Sequence, residues 1–150
     1  MRLVIQRVSS ASVTIDGQEK REIGQGLMVL IGVEECDHEA DAEWLAQKTA
    51  LMRIFSDAEG KMNRSIIDVG GEILAISQFT LFALTAKGNR PSFIRSARPE
   101  IAIPIYEAYL KFLSVDHGLQ VKTGAFGSDM DVAIVNQGPV TITIDSKSRE

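Results

Sequence analysis

The chain has 150 residues, of which 45% are hydrophobic and 24% charged, one cysteine, a formal net charge of -4 and a pI near 5.2. That size and balance predict one ordinary globular domain, residues 1–150, with a single sizeable core. They argue against a protein that coats nucleic acid along its length, which needs many Lys and Arg to displace counterions, but leave room for one that grips an end.

A lone Cys excludes an intrachain disulfide and fits a reducing compartment. Met1 to Val8 has no leader pattern, and no apolar run approaches the roughly 18 residues of a membrane helix, so the sequence reads as cytoplasmic. Leu3 to Val8 is apolar and β-branched enough for a strand. Ser12 to Ile15 alternates as a second, and Asp16-Gly17 signals a hairpin returning through Glu19 to Ile23. Leu27 to Val33 is a continuous apolar run, predicted as a strand buried on both faces. Four strands are thus expected ahead of the first helix.

Glu34 to Glu43 holds six carboxylates in ten residues. Acidic groups offset the positive end of a helix dipole, so they predict a helix start with Asp37 as N-cap and an amphipathic helix to about Arg53. A metal site is the rival reading, but consecutive carboxylates without a His at helical spacing on both sides do not converge. A short strand at Ile54 to Ser56, turns at Asp57 to Gly60 and Asp68 to Gly71, and a strand from Glu72 to Leu81 follow. A second helix is predicted from Pro99, with Pro104 in its first turns and His117-Gly118 as its end. Leu119 to Thr123, Met130 to Asn136 and Val140 to Asp145 complete the strands, the last two joined by a tight turn at Gln137-Gly138-Pro139.

The usual catalytic sets are missing. Cys36 lies among carboxylates, which disfavour a thiolate, and neither His38 nor His117 has metal or triad spacing. Ser77 is outside a G-x-S-x-G elbow, and the glycine pairs lack a phosphate-loop pattern. Three features remain. Ser77, Gln78 and Thr80 interrupt a strand that should be apolar. Between Glu72 and Glu100 there is no acid, yet Lys87, Arg90, Arg95 and Arg98 all fall there, a local reversal of sign that suits an anionic partner. Asn136 to Thr141 brackets a Gly-Pro pair, where Gly has no Cβ to hold a ligand away and the X-Pro bond is the kind that goes cis at modest cost. Together these support a pocket that offers backbone groups to a small ligand, without naming it.

The motifs resemble those of the D-aminoacyl-tRNA deacylases over the whole chain. Met1 to Val8 is similar to the family opening, Ser77-Gln78-Phe79-Thr80-Leu81 to its S-Q-x-x-L motif, Lys87-Gly88-Asn89-Arg90-Pro91-Ser92-Phe93 to its K-G-N-R-P-S-F loop, and Asn136-Gln137-Gly138-Pro139-Val140-Thr141 to N-x-G-P-x-T. The resemblance implies an α/β (α+β) fold, a mostly antiparallel barrel-like sheet with two principal helices. It also implies a homodimer with active sites at the subunit interface. There a cis Gly138-Pro139 would reach into the partner's pocket, accept the substrate's α-amino group on its carbonyls and leave no room for an L side chain. Arg7 would hold that turn.

The implied substrate is the 3′-terminal aminoacyl-adenosine of D-aminoacyl-tRNA, with mischarged glycyl-tRNA(Ala) as a second, and no metal or organic cofactor. Ser77, Gln78, Phe79 and Thr80 are the catalytic candidates. Backbone N–H groups around Phe79 would serve the oxyanion, and the ribose 2′-hydroxyl is favoured over Thr80 as the assisting group, because no base accompanies that Thr in sequence. Asn136, Thr141 and Met130 are candidate substrate contacts; Lys87, Arg90 and Arg95 are candidates for the tRNA phosphates. Phe82, Leu84 and Gln137 depart from the common pattern of Tyr, Asp and Asp, with core packing expected for the first two. A non-catalytic module for the tRNA acceptor end, and a structural dimer whose Gly-Pro is merely a hairpin, are the readings from other classes.

Overall fold

The structure is a computed structural model and describes residues 1–149. Its first element is one long strand, β1 (Arg2–Ile15), where two strands were expected. On one side β1 pairs antiparallel with β3 (Gly26–Gly32) through its first half and with β2 (Glu19–Ile23) through its second. On its other side it pairs along its whole length with β8 (Met130–Asp145). The apparent break is a bulge. Val8 faces Asn136 and Ser10 faces Val135, so Ser9 is the extra residue and the side-chain alternation shifts by one. Leu3 and Ile5 therefore point to the helices, while Val8 and then Ala11, Val13 and Ile15 point into a second core. Three strands, not four, precede the first helix. Asp16 and Gly17, at φ 48 and 68, make the expected turn between β1 and β2.

β3 is buried along almost its whole length, as its apolar run predicts. It pairs parallel with β6 (Glu72–Ser77), which pairs parallel with β7 (Gln120–Thr123). Gly26 is required at the start of β3, because a Cβ there would overlap the main chain of Glu72. The sheet order is β2-β1-β3-β6-β7, with β8 on the free side of β1. Arg21 of β2 donates to the Thr123 carbonyl at 2.7 Å and Lys122 of β7 donates to the Glu22 carbonyl at 2.6 Å, drawing the outer strands together. The result is a mixed sheet nearly closed into a barrel. The sheet is mostly antiparallel, as expected, through the ladders of β1 with β2, β3 and β8; the parallel β3-β6-β7 part follows from the helical crossovers that join these strands.

α1 (Glu39–Leu51) and α3 (Pro99–Lys111) are the two principal helices and pack on one face of the sheet. Leu45, Ala46 and Ala50 of α1 meet Ile105, Tyr109 and Leu113 of the α3 region around Leu3, Ile5, Val29 and Ile31. Tyr109 is fully buried, where desolvation pushes its phenol up, and its hydroxyl is shared with Thr49 at 2.9 Å. A π-type turn over Phe112–Asp116 continues α3, and Gly118 at φ 66 follows it. The smaller core, with Met28, Leu74 and Ile76, lies on the opposite face, inside the curl.

Asp37 is not the N-cap of α1. His38 takes that position, and the carboxylate of Asp41 accepts from the His38 N–H at 2.9 Å. Asp37 is instead buried as the partner of the Met1 ammonium, and it also accepts from the Glu34 N–H at 2.8 Å. A buried carboxylate goes where a cation can neutralise it. Two short elements were unforeseen: β5 (Met62–Arg64), paired with β4 (Phe55–Ser56), and the one-turn helix α2 (Ile66–Val69), capped by Ser65 and ended by Gly70 at φ 63.

Candidate active site

β6 ends at Ser77, not at Leu81 as its apolar sequence suggests. Gln78 donates its N–H to the Ile31 carbonyl at 2.7 Å, continuing the parallel ladder for one bond, and the chain then folds into a 3₁₀ turn over Phe79–Phe82. Gly32 makes room for it. A Cβ there would come within 3.0 Å of Leu81 Cβ, 3.2 Å of the Gln78 carbonyl oxygen and 3.2 Å of the Phe82 ring.

The turn is held from several directions. Leu81 N–H donates to Gln78 O at 3.3 Å and Ala83 N–H to Thr80 O at 3.1 Å. The Ser96 hydroxyl donates to Phe79 O at 2.7 Å, and Arg2 donates to Leu81 O at 3.1 Å. Phe82 is buried, with the Arg2 and Arg95 guanidiniums 4.6 and 5.6 Å from its ring centroid. Each guanidinium has its own carboxylate: Asp145 for Arg2 and Glu34 for Arg95, both at 2.8 Å. Phe82 packs in the core as expected, whereas Leu84 is 40% exposed and pairs through its backbone with Ser92 across the basic loop.

The N–H groups of Phe79 and Thr80 precede the first bond of the turn and have no acceptor among the described residues. Gln78 Nε2 donates to Thr80 Oγ1. Phe79 is 57% exposed, and its ring stands edge-on to Phe93 at 5.1 Å. Beside these groups opens a cleft of about 310 Å³, lined by Ser77, Gln78 and Phe79 on one wall and by Tyr106, Phe126 and Met130 on the other. Met130 therefore joins the Ser77 segment. The wall from Phe126 to Asp129 escaped the sequence reading; its one signal is an aromatic residue, Phe126, in an otherwise small, polar loop. Tyr106 is tied to the Ala75 carbonyl at 3.1 Å, and burial pushes its phenol up to about 12. It is a neutral wall at ordinary pH.

Gly138 and Pro139 do not form a hairpin turn. β8 runs on through them, and Asn136 pairs with Val8 while Thr141 pairs with Gln6. Residues 137 to 140 therefore loop out opposite the single residue Arg7. Asn136 and Thr141 form the base of this loop: Asn136 Nδ2 donates to Thr141 Oγ1 at 3.0 Å, and Asn136 Oδ1 accepts from Val140 N–H at 3.2 Å. Arg7 is 9% exposed. Its Nε donates to Gln137 O at 3.1 Å and its Nη1 to Ile54 O. The Gly138-Pro139 peptide is cis, and Gly138 has φ 127. This loop and the cleft are apart within one chain. Arg7 is level with Leu27 and Ile73, and Ser77 lies four residues further along β6, roughly 13 Å by strand rise, two strands across from Arg7 and three from the loop on β8.

Lys87 and Arg90 are exposed on the loop that the Leu84–Ser92 bridge closes. Arg95 is engaged by Glu34. Glu34, Cys36 and Asp37 bring one potential metal ligand each within 4.8 Å of one another. Both carboxylates already face a cation, Arg95 or Met1.

The fold and the cleft define a small α+β barrel that presents main-chain donors where a parallel strand runs into a 3₁₀ turn. The comparisons narrow this class. Residues 4–145 match the family D-Tyr-tRNA(Tyr) deacylase. The D-aminoacyl-tRNA deacylase of Akkermansia muciniphila is 58% identical over 150 residues, covering 100% of both chains. A solved structure titled c-Myc DNA Unwinding Element Binding Protein superposes with a TM-score of 0.88 at 40% identity, covering 97% of this chain and 98% of that one. A probable eukaryotic D-amino acid tRNA deacylase shares the fold at a TM-score of 0.82 and 16% identity, over 95% and 97% of the two chains. The chain belongs to the D-Tyr-tRNA(Tyr) deacylase family, a family of hydrolases acting on the aminoacyl-tRNA ester.

Proposed function

We propose that the chain hydrolyses D-aminoacyl-tRNA as a homodimer, each active site combining one subunit's Ser77–Thr80 cleft with the other's Gly138-Pro139 loop. The observation that carries this reading is the placement of the two motifs. Both reach the surface, Phe79, Gly138 and Pro139 exposed and Ser77, Gln78 and Thr80 half-buried, but they lie too far apart in one chain to hold one aminoacyl group, and a second copy supplies the missing half. Exposed apolar side chains support it: Phe79, Val135 (57% each) and Val132 (37%) stand open in the single chain.

In this reading the 3′-terminal adenosine enters the cleft between Phe79 and Phe126. Water attacks the ester carbonyl, and the N–H groups of Phe79 and Thr80 receive the developing oxyanion. The bond to the ribose oxygen then breaks, that oxygen takes a proton, and free D-amino acid and tRNA leave. Thr80 is not the nucleophile, since the group that meets its hydroxyl is the Gln78 amide and not a base. The ribose 2′-hydroxyl assists the water, and Gln78 orients Thr80 and the ribose.

The partner's Gly138 and Pro139 carbonyls take the α-amino group and crowd out an L side chain. Glycine has no side chain to exclude, so glycyl-tRNA(Ala) is a second substrate. Lys87 and Arg90 meet the acceptor-end phosphates; Arg95 could join them only by leaving Glu34. No helix is long and apolar enough to cross a membrane; the cytoplasm, where charged tRNA is used, is the location that the proposed substrate supports.

The test is ester loss from D-tyrosyl-tRNA and L-tyrosyl-tRNA in parallel. Rapid loss of the D form alone is expected. Equal loss of both would refute the chiral gate, and binding without turnover would leave an acceptor-end binding module.

A further inference from the structure

We infer that Ser96 is a positioning residue for hydrolysis, setting the direction of the Thr80 N–H through the carbonyl of Phe79. The inference rests on the oxyanion role proposed above. A trans peptide is planar, so the carbonyl of one residue and the N–H of the next point in opposite directions. The Phe79 carbonyl and the Thr80 N–H are two ends of one such plane. The Ser96 hydroxyl holds the carbonyl end at 2.7 Å, and the N–H end has no acceptor among the described residues.

The neighbouring planes are fixed in other ways. Gln78 O and Thr80 O accept bonds from within the turn, and Leu81 O accepts from Arg2. The Phe79 carbonyl, inside the same 3₁₀ turn, is the one of these that also accepts from a side-chain hydroxyl. Ser96 is in turn well anchored: its N–H donates to Phe93 O at 3.0 Å, the next N–H, of Ala97, donates to Val33 O at 2.9 Å, and Ser96 pairs with Glu34 in an isolated bridge. The Phe93 ring in the same segment packs edge-on against Phe79. The segment after the basic loop therefore reaches back and locks the plane that carries the donor. Donors help most when they already point to where charge will develop.

The experiment compares wild type, Ser96→Ala and Ser96→Thr on D-tyrosyl-tRNA, with binding of two adenosine-linked probes. One is a D-tyrosyl amide that mimics the ground state, the other a phosphonate that mimics the tetrahedral state. Ser96→Ala is expected to lower kcat about tenfold, less than outright loss of an oxyanion donor, with KM within about twofold. It should weaken the phosphonate about tenfold and leave the amide unchanged, and Ser96→Thr should restore both. Wild-type kcat in Ser96→Ala, or equal weakening of both probes, overturns the inference. If Ser96→Ala does not fold, Ser96→Cys, with its weak S–H donor, is read in the same way. A wild type inactive on D-tyrosyl-tRNA would instead refute the function proposed above, a result distinct from either.

Discussion

Gly138 is the residue on which the loop opposite Arg7 depends. A Cβ there would stand 2.8 Å from Arg7 Nη2, 3.0 Å from Val140 Cγ2 and 3.2 Å from Val140 N, on a backbone at φ 127 that L side chains rarely adopt. Gly138→Ala is therefore expected to cost about 1–3 kcal/mol of stability, measured by urea unfolding, and to displace the loop. In the proposed dimer that displacement relaxes discrimination between D- and L-tyrosyl-tRNA, and a variant that keeps it would count against the loop's assigned role. Thr80 gives the opposite expectation. Thr80→Val should keep turnover within about threefold, since losing a true nucleophile typically costs about a millionfold; single-turnover ester loss decides. Both residues were legible in the sequence because each sits in a short motif of unusual residue types. Ser96 was not: a serine in a loop becomes informative only when its acceptor is seen.

At the scale of elements, the sequence marked almost every strand but not where strands join or stop. β1 was read as two strands because Ser9 and Ser10 interrupt its pattern, and a bulge gives the same signal as a turn. β8 was read as two because Gly-Pro usually ends a strand; here the strand resumes its pairing with β1 beyond the loop. β6 was read as too long for the opposite reason. Phe79, Leu81 and Phe82 are apolar enough for a strand, and only the open space over Gly32 shows that the chain folds down there. The bracing of this turn can be tested as a unit. Arg2→Ala removes the bond to Leu81 O and one guanidinium over Phe82. Hydrogen exchange at the Leu81 and Ala83 amides should quicken about tenfold, a loss of about 1.4 kcal/mol of local protection, with the amides of β6 unchanged. Uniform quickening across both would show that Arg2 supports the whole fold instead.

The whole molecule is tied together near its two ends by charge. The Met1 ammonium meets Asp37 and Ser146, and Lys147 donates to Asp41 at 2.7 Å. Burial alone would raise Asp41, but the Lys147 ammonium, the His38 N–H and Ser146 outweigh it and hold the carboxyl down to about 2. A depressed folded pKa stabilises the protein above the unfolded value, near 3.8, and that contribution is lost as pH falls from there toward 2. Lys147→Met should therefore move the acid-unfolding midpoint, followed by circular dichroism, to higher pH; an unmoved midpoint would show that the pair contributes nothing. One further consequence belongs to β8, which lines its own cleft with Met130 and carries the Gly138 loop on the same continuous strand. If each site borrows that loop from a neighbour, two defective alleles, one altered at Gly138 and one at Gln78, are not equivalent failures. In a cell expressing both, every mixed pair gathers the two lesions into one site and leaves the other wholly native, so the two defective alleles together restore part of what each alone impairs.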